Sequence, residues 1–259
     1  MTKNAPLISI VTVCYNDRTG LETTVASIDA QSFRNFEHII IDGASTDGTP
    51  DYLHTISQPW RESISEPDTG LYDAMNKGLG KSRGRYVQFL NAGDVFAHDG
   101  SLHSAAKHLA NSAIIVSLRS INEYGDLSTP LDAERQTYDS YGRFEAMLFD
   151  ARRLSKTPFD LRYRIKADRD VVLRLIRDGV VMKDINEVFV KIESIGLSST
   201  RIPLKEKENI LITWRNVGFS SALLKSIVRA AGRLFAYSLA RLFSIDWNSA
   251  KRFIFASRG

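Results

Sequence analysis

Three apolar, β-rich runs in the first 95 residues each stop at a cluster of polar groups. Leu7 to Cys14 (LISIVTVC) stops at Tyr15-Asn16-Asp17, His38 to Ile41 (HIII) at Asp42, and Tyr86 to Leu90 (YVQFL) at Asn91-Ala92-Gly93-Asp94. Runs without polar alternation belong to strands covered on both faces, the condition of a parallel sheet between helices. Ligands of such sheets bind outside the carboxyl ends of the strands. The acids at the three run ends are therefore expected to share one cleft.

Helical signals separate these runs. Leu21, Val25 and Ile28 recur at helical spacing after the first. After the second, Asp47 and Thr49-Pro50 supply a cap and an early proline for a short helix with Tyr52, Leu53 and Ile56. Leu71, Met75 and Leu79 mark a helix over 71–82, leading into the third run. Strand–helix–strand order implies right-handed βαβ units. Further on, 113–118 (AIIVSL) predicts a strand, 120–140 a loop or edge strand, and 144–154 a strand with a short helix. Asp168 to Gly179 predicts an amphipathic helix with a glycine at its end, and 185–192 a last strand. The expected class is α/β: a mostly parallel central sheet flanked by helices over residues 1–202, with a basic helical extension over 203–259.

With 259 residues, 43% of them hydrophobic, the chain can bury a full core. Its one cysteine, Cys14, excludes an intramolecular disulfide, fits a reducing compartment, and lies in an apolar run as a packed thiol would. The apolar stretch near the N-terminus is too short and interrupted for a signal peptide, and no charge-free apolar stretch has the length of a membrane span. The expected location is the cytosol or the cytosolic face of a membrane. The net charge of +4 is unevenly spread: residues 201–259 carry 11 Lys and Arg against 3 Asp and Glu. Attraction to anionic surfaces should therefore come from the tail. In a helix over 220–243, Lys225, Arg229, Arg233 and Arg241 span about 160° at about 100° per residue, with leucine, isoleucine, valine and phenylalanine over much of the rest.

Two segments can carry chemistry. Asp42-Gly43-Ala44-Ser45-Thr46-Asp47-Gly48-Thr49 is a strand end, a glycine-containing turn and a helix start. Its first aspartate can accept a hydrogen bond from a base N–H or a ribose hydroxyl; the alternative is a turn with an N-cap. Asn91-Ala92-Gly93-Asp94 offers oxygen ligands suited to Mg²⁺ or Mn²⁺ on a diphosphate, or else is an ordinary turn. Asp168 and Asp170 open a helix, where acids commonly answer the helix dipole; a general base is the alternative for Asp168. Several motifs are excluded. Gly80-Lys81-Ser82 lacks the first P-loop glycine, and Gly78, Gly80 and Gly84 miss the dinucleotide spacing. The five histidines lack zinc spacing, and there is no nucleophile elbow.

Taken in order, LISIVTVCYN, IIIDGASTDGT, FLNAGD, KADRDVVLRL and ESIGLSS resemble the successive motifs of a family 2 glycosyltransferase, of the GT-A class that uses nucleotide-sugar donors. The stretch SEPDTGLYDAMNKGL further resembles a subgroup found in bacterial exopolysaccharide and glycolipid assembly. The resemblance covers residues 6–200 and implies an inverting enzyme. By position it implies that Thr12 and nearby backbone line the base pocket and that Asp42 binds the base. It implies that Asp68, Asp73 and Asn76 lie along the donor cleft. Asp94 is implied as the main ligand of Mg²⁺ or Mn²⁺, with Asn91 in place of the family's first acid there. Asp168 is implied as the catalytic base, and Arg174 as structural. The donor implied is a nucleotide sugar, UDP first, and the acceptor a lipid-linked saccharide.

The chain also departs from the pattern. Gly43 stands where a second aspartate is frequent, Asn91 and Gly93 where acids are usual, and Ala167 where a glutamate precedes the base. These losses motivate the alternative of a non-catalytic nucleotide-sugar-binding protein; retention of Asp42, Asp94 and Asp168 weighs against it. A nucleotidyltransferase should carry a basic glycine-rich loop after the first strand, and CYNDRTGLETT has one Arg and one Gly. The basic tail, residues 220–258, is expected either to pack on the catalytic domain or to lie on anionic lipid. It lacks a nucleic-acid module and an aromatic platform, so no nucleic-acid partner is expected.

Overall fold

The computed structural model describes residues 5–109, 115–122, 143–155, 157–180, 182–192 and 201–242. The chain divides into two compact units, residues 1–193 and 194–259.

In the first unit, β1 (Ile8–Cys14), β2 (Phe36–Asp42) and β4 (Tyr86–Phe89) are buried along their whole lengths. That is the burial expected of strands with helices on both faces. They lie in one eight-stranded sheet of order β3-β2-β1-β4-β7-β6-β8-β5. The other members are β3 (Arg61–Ser65), β5 (Val95–Phe96), β6 (Ile115–Asn122), β7 (Met147–Asp150) and β8 (Met182–Ile192). Strands β3, β2, β1 and β4 pair in parallel; β7 is antiparallel to both of its neighbours, β4 and β6. The connecting helices are α1 (Arg18–Asp29), α2 (Thr49–Thr55), α3 (Leu71–Lys81), α4 (Ser101–Leu109) and α5 (Ala167–Arg177).

The register aligns the functional ends. Cys14 pairs with Asp42 and Asp42 with Ser65, so β1, β2 and β3 finish on one line. Beyond β4 the chain stays on β1: Leu90 N–H donates to Val11 O at 3.0 Å and Ala92 N–H to Val13 O at 3.1 Å. This carries the Asn91–Asp94 turn to the same sheet edge. Helix α3 lies close over the sheet because Gly78 has no side chain; a Cβ there would stand 2.4 Å from Val11 Cγ1.

Strand β3 is absent from the sequence expectation. It is a short edge strand (RESIS) in which only Arg61 is buried, so it carries no apolar run. Arg61 is held by His38 Nδ1 at 3.0 Å and by Asp29 Oδ1 at 2.5 Å. Because Nδ1 accepts from Arg61, the His38 proton lies on Nε2, which donates to Thr12 Oγ1 at 2.9 Å. Burial, and then the Arg61 charge, push the His38 pKa well below its ordinary value, so the ring is neutral.

The second unit holds α6 (Ile202–Val217) and α7 (Ser221–Leu242), which pack as a pair. Arg233 on α7 makes two 2.7 Å bonds to the buried Glu206 carboxylate on α6. The expected glycine-serine loop, residues 193–199, and the tail beyond 242 lie outside the described residues.

Candidate functional site

The Asp42 loop is built from the carboxylate outward. Asp42 is fully buried. Its Oδ2 accepts from Ser45 N–H at 3.1 Å and from Ser65 Oγ–H at 2.6 Å, and its Oδ1 accepts from the Ser45 hydroxyl. The Ser45 hydroxyl oxygen in turn accepts from Asn16 N–H at 2.7 Å, joining the loop after β1 to the loop after β2. Asn16 and Ala44 both have positive φ, 50° and 60°. Such backbone is costly for residues other than glycine and persists where surrounding bonds over-determine it. Asp47 carries the helix start as expected, but from one position further out. Gly48 is the N-cap residue, and the Asp47 carboxylate accepts from Thr49 N–H at 3.1 Å and Thr49 Oγ1 at 2.6 Å.

The Asn91–Asp94 turn is fixed by Thr24, which the sequence reading did not single out. The buried Thr24 hydroxyl donates to Asp94 O at 2.8 Å and accepts from Gly93 N–H at 3.0 Å. Gly93 has φ 91°, a conformation that favours glycine over an acid and accounts for the missing carboxylate at this position. Among the described residues no group of three acids, histidines or cysteines gathers around a metal position. Asp94 supplies the carboxylate of this turn, and the buried side-chain oxygen of Asn91 has no hydrogen-bond donor. One carboxylate and one unpaired amide oxygen fit a Mg²⁺ or Mn²⁺ ion whose remaining ligands are phosphate and water.

Cys14, between these two loops, is chemically quiet. Burial pushes its thiol up to about 12, and it donates to Asp17 O at 3.4 Å.

The stretch before and along α3 joins the strand ends to α5. Asp68 Oδ1 accepts from Gly70 N–H at 2.7 Å and Asp73 Oδ2 from Thr69 N–H at 2.9 Å, which shapes the turn into the helix. In the first turn of α3, Tyr72 stacks on Phe159 at 5.5 Å and its hydroxyl lies 2.9 Å from Asp168 Oδ1 and 2.7 Å from Ile165 O. Asp168 thus sits in the first turn of α5 with a phenol against its carboxylate. Asn76 clamps the Phe159 backbone, donating to its carbonyl at 2.9 Å and accepting from its N–H at 3.1 Å. Inside the sheet, Thr12 Oγ1 accepts from His38 Nε2 at 2.9 Å. Arg174 bonds Asp170 at 2.8 Å and the Pro158 carbonyl, a structural pairing that also accounts for the acid at 170.

Glu145 is the site neighbour that the sequence did not announce. It lies in a single 3₁₀ turn, Phe144–Ala146, ahead of β7. Burial, and then the Asp168 charge, raise its carboxyl above the ordinary range, while Arg143 and Lys166 pull it down. A second carboxyl therefore stands near Asp168, although Ala167 has displaced the usual neighbouring glutamate.

The stretch that carries these elements matches a known sequence family. The model for Glycosyl transferase family 2 matches residues 9–181. The chain belongs to this family. It is 31% identical over 214 residues to the uncharacterized glycosyltransferase Rv1514c of Mycobacterium tuberculosis, covering 77% of this chain and 80% of that one. It is also 35% identical over 147 residues to TuaG of Bacillus subtilis, a putative teichuronic acid biosynthesis glycosyltransferase, covering 54% and 58% of the two chains. The crystal structure of S. aureus TarS 1-349 in complex with UDP-GlcNAc superimposes with a TM-score of 0.68 at 14% identity, over 95% of this chain and 75% of TarS. The α/β fold is the GT-A fold expected from the sequence, and the protein is a glycosyltransferase. Among the described residues no helix is long and apolar enough to cross a membrane.

Proposed function

We propose that this glycosyltransferase inverts the anomeric centre of a nucleotide sugar, UDP first, and transfers the sugar to a hydroxyl of a lipid-linked or oligosaccharide acceptor. The product would belong to cell-surface polysaccharide or glycolipid synthesis. The observation that carries this reading is the Tyr72–Asp168 contact. Helix α3 leads in from a turn beside the Asp42 loop and ends its first turn on the α5 carboxylate, so donor loops and base belong to one packed assembly. The TuaG and TarS similarities support a cell-surface acceptor and a UDP-sugar donor.

Asp168 would take the proton of the acceptor hydroxyl, and the resulting oxygen would attack C1 opposite the leaving nucleoside diphosphate. The Tyr72 hydroxyl, 2.9 Å from Asp168 Oδ1, would hold the carboxylate in position as it takes that proton. Burial, and then the Asp168 charge, raise the Glu145 carboxyl above its ordinary range, which is the effect of a second acid near the base. Asp94 and the Asn91 side-chain oxygen would hold Mg²⁺ or Mn²⁺. The bound ion supplies charge neutralisation on the leaving diphosphate.

A thermal-shift panel of UDP, GDP, dTDP and CMP with Mn²⁺, Mg²⁺ or chelator tests the donor side. A ligand at 100 times its Kd stabilises by about 2.7 kcal/mol. One diphosphate should raise Tm, chelator should remove the shift, and Asp94→Ala should lose the metal-dependent part while its unliganded Tm stays near wild type. A shift that neither chelator nor Asp94→Ala alters would remove the metal from the reading.

For the tail we infer attachment to an anionic lipid surface. Leu224, Val228, Phe235 and Leu242 are exposed and fall within about 40° of one line along α7 at about 100° per residue. Exposed Lys225 and Arg229 flank this stripe on one side and Arg241 on the other. Arg233 differs from the one-sided basic face read from the sequence, because Glu206 consumes its charge. An apolar stripe bordered by cations suits the headgroup boundary. Flotation with vesicles containing phosphatidylserine should carry the full chain and leave Leu224→Ser/Phe235→Ser behind. Equal flotation of both, or binding to neutral vesicles alone, would count against the lipid attachment.

A further inference from the structure

We propose that Asp68 is a nucleoside-recognition residue that supplies, from the turn before α3, the carboxylate missing at Gly43; this rests on the donor-cleft reading above. The glycine is the first clue. Gly43 is not among the residues with positive φ, so its backbone would accept a side chain. What a side chain would meet there is Asp68, which would have to move aside. A Cβ at Gly43 would stand 2.7 Å from Asp68 Oδ2, 3.3 Å from Asp68 Cγ and 3.2 Å from Tyr15 Cδ2. The room that an acid at position 43 would need is filled by the acid at position 68.

The second clue is exposure. The Asp42 carboxylate is fully buried and accepts from Ser45 and Ser65, so it braces the loop from beneath. Asp68 is only half-buried and stands over the loop. The fold holds it there from several directions. Glu66 N–H donates to Asp42 O at 3.0 Å, tying the chain beyond β3 to the end of β2. Gly70 N–H donates to Asp68 Oδ1 at 2.7 Å, while Arg164 donates to Thr69 O at 2.8 Å. Oδ2 is the oxygen that faces Gly43.

The chemistry selects the ligand part. A carboxylate repels the diphosphate of a donor, so Asp68 would contact the nucleoside, accepting from a base N–H or a ribose hydroxyl. Hydrogen bonds to charged groups are stronger than neutral ones, and losing this one should weaken binding about 10- to 100-fold.

The test moves the acid between the two positions. UDP, GDP, dTDP and CMP are titrated with Mn²⁺ by calorimetry into the full-length wild type, Asp68→Ala, Gly43→Asp and Gly43→Asp/Asp68→Ala, with Tm recorded for each. Asp68→Ala should weaken the preferred nucleotide about 10- to 100-fold. Gly43→Asp alone should lower Tm, because two carboxylates then compete for one space. The double variant should regain wild-type Tm and bind within a few-fold of wild type. Recovery of Tm without recovery of affinity would overturn the recognition role. Failure to recover Tm would overturn the shared space itself. If the wild type binds none of the four nucleotides, the donor-cleft reading falls and this inference with it; wild-type binding with an unaffected Asp68→Ala overturns this inference alone.

Discussion

Replacing Asp168 by Asn is expected to lower kcat by about 10²-fold or more while leaving nucleotide affinity at the wild-type level, the signature of a lost general base. The substitution is nearly isosteric. An amide oxygen still accepts from the Tyr72 hydroxyl, and Tyr72 keeps its stack on Phe159, so the α3–α5 contact should survive. What disappears is basicity. The amide cannot take the acceptor proton. The measurement is steady-state transfer from the donor that the thermal-shift panel selects, alongside calorimetry with the matching diphosphate. Turnover near the wild-type rate would take the base role from Asp168. Loss of turnover together with loss of nucleotide affinity would assign it to donor binding instead.

How much of this site could be read from the chain depends on the range of the forces involved. Strands β1, β2 and β4 were legible because burial on both faces writes itself as an uninterrupted apolar run. Helix α5 was legible from its period and from Gly179, whose φ of 76° ends the helix as such glycines do. Strand β3 was not, since an edge strand with one buried arginine has no pattern to show. Asp42 shows the same limit at one residue. Its bond to Ser45, three positions on, is local, but Ser65 is 23 residues away and joins only through sheet register. The clamp of Asn76 on Phe159 spans 83 residues and gave no local signal, so the sequence offered only a motif position for that amide. The two departures from the family pattern, Gly43 and Ala167, read as losses in one dimension. In three dimensions Asp68 stands over the first and Glu145 near Asp168 beside the second.

Asp42→Ala tests the division of labour between a buried acid and an exposed one. The substitution strands the Ser45 N–H, the Ser45 hydroxyl and the Ser65 hydroxyl, all formerly paired with one carboxylate. A buried donor left unsatisfied costs about 1–3 kcal/mol, and the two hydroxyls can turn to other acceptors, so the net loss should be about 2–4 kcal/mol. In a unit of this size each kcal/mol moves Tm by about 2–4 °C, which predicts a fall of about 5–15 °C. Nucleotide affinity should fall as well, because Ser45 also receives Asn16 N–H and the loops after β1 and β2 would lose their common brace. Asp42→Asn should be milder on Tm, since its amide oxygen can still accept from one of the serines. An exposed base-binding aspartate would behave in the opposite way: affinity would fall while Tm stayed constant. If Asp42→Ala gave that result, the buried, serine-capped carboxylate would not be the resting arrangement of the loop, and Asp42 itself would be the nucleoside contact. A fall in Tm for Asp42→Ala with little change for Asp68→Ala, and a fall in affinity for both, is the pattern that assigns bracing to one acid and recognition to the other.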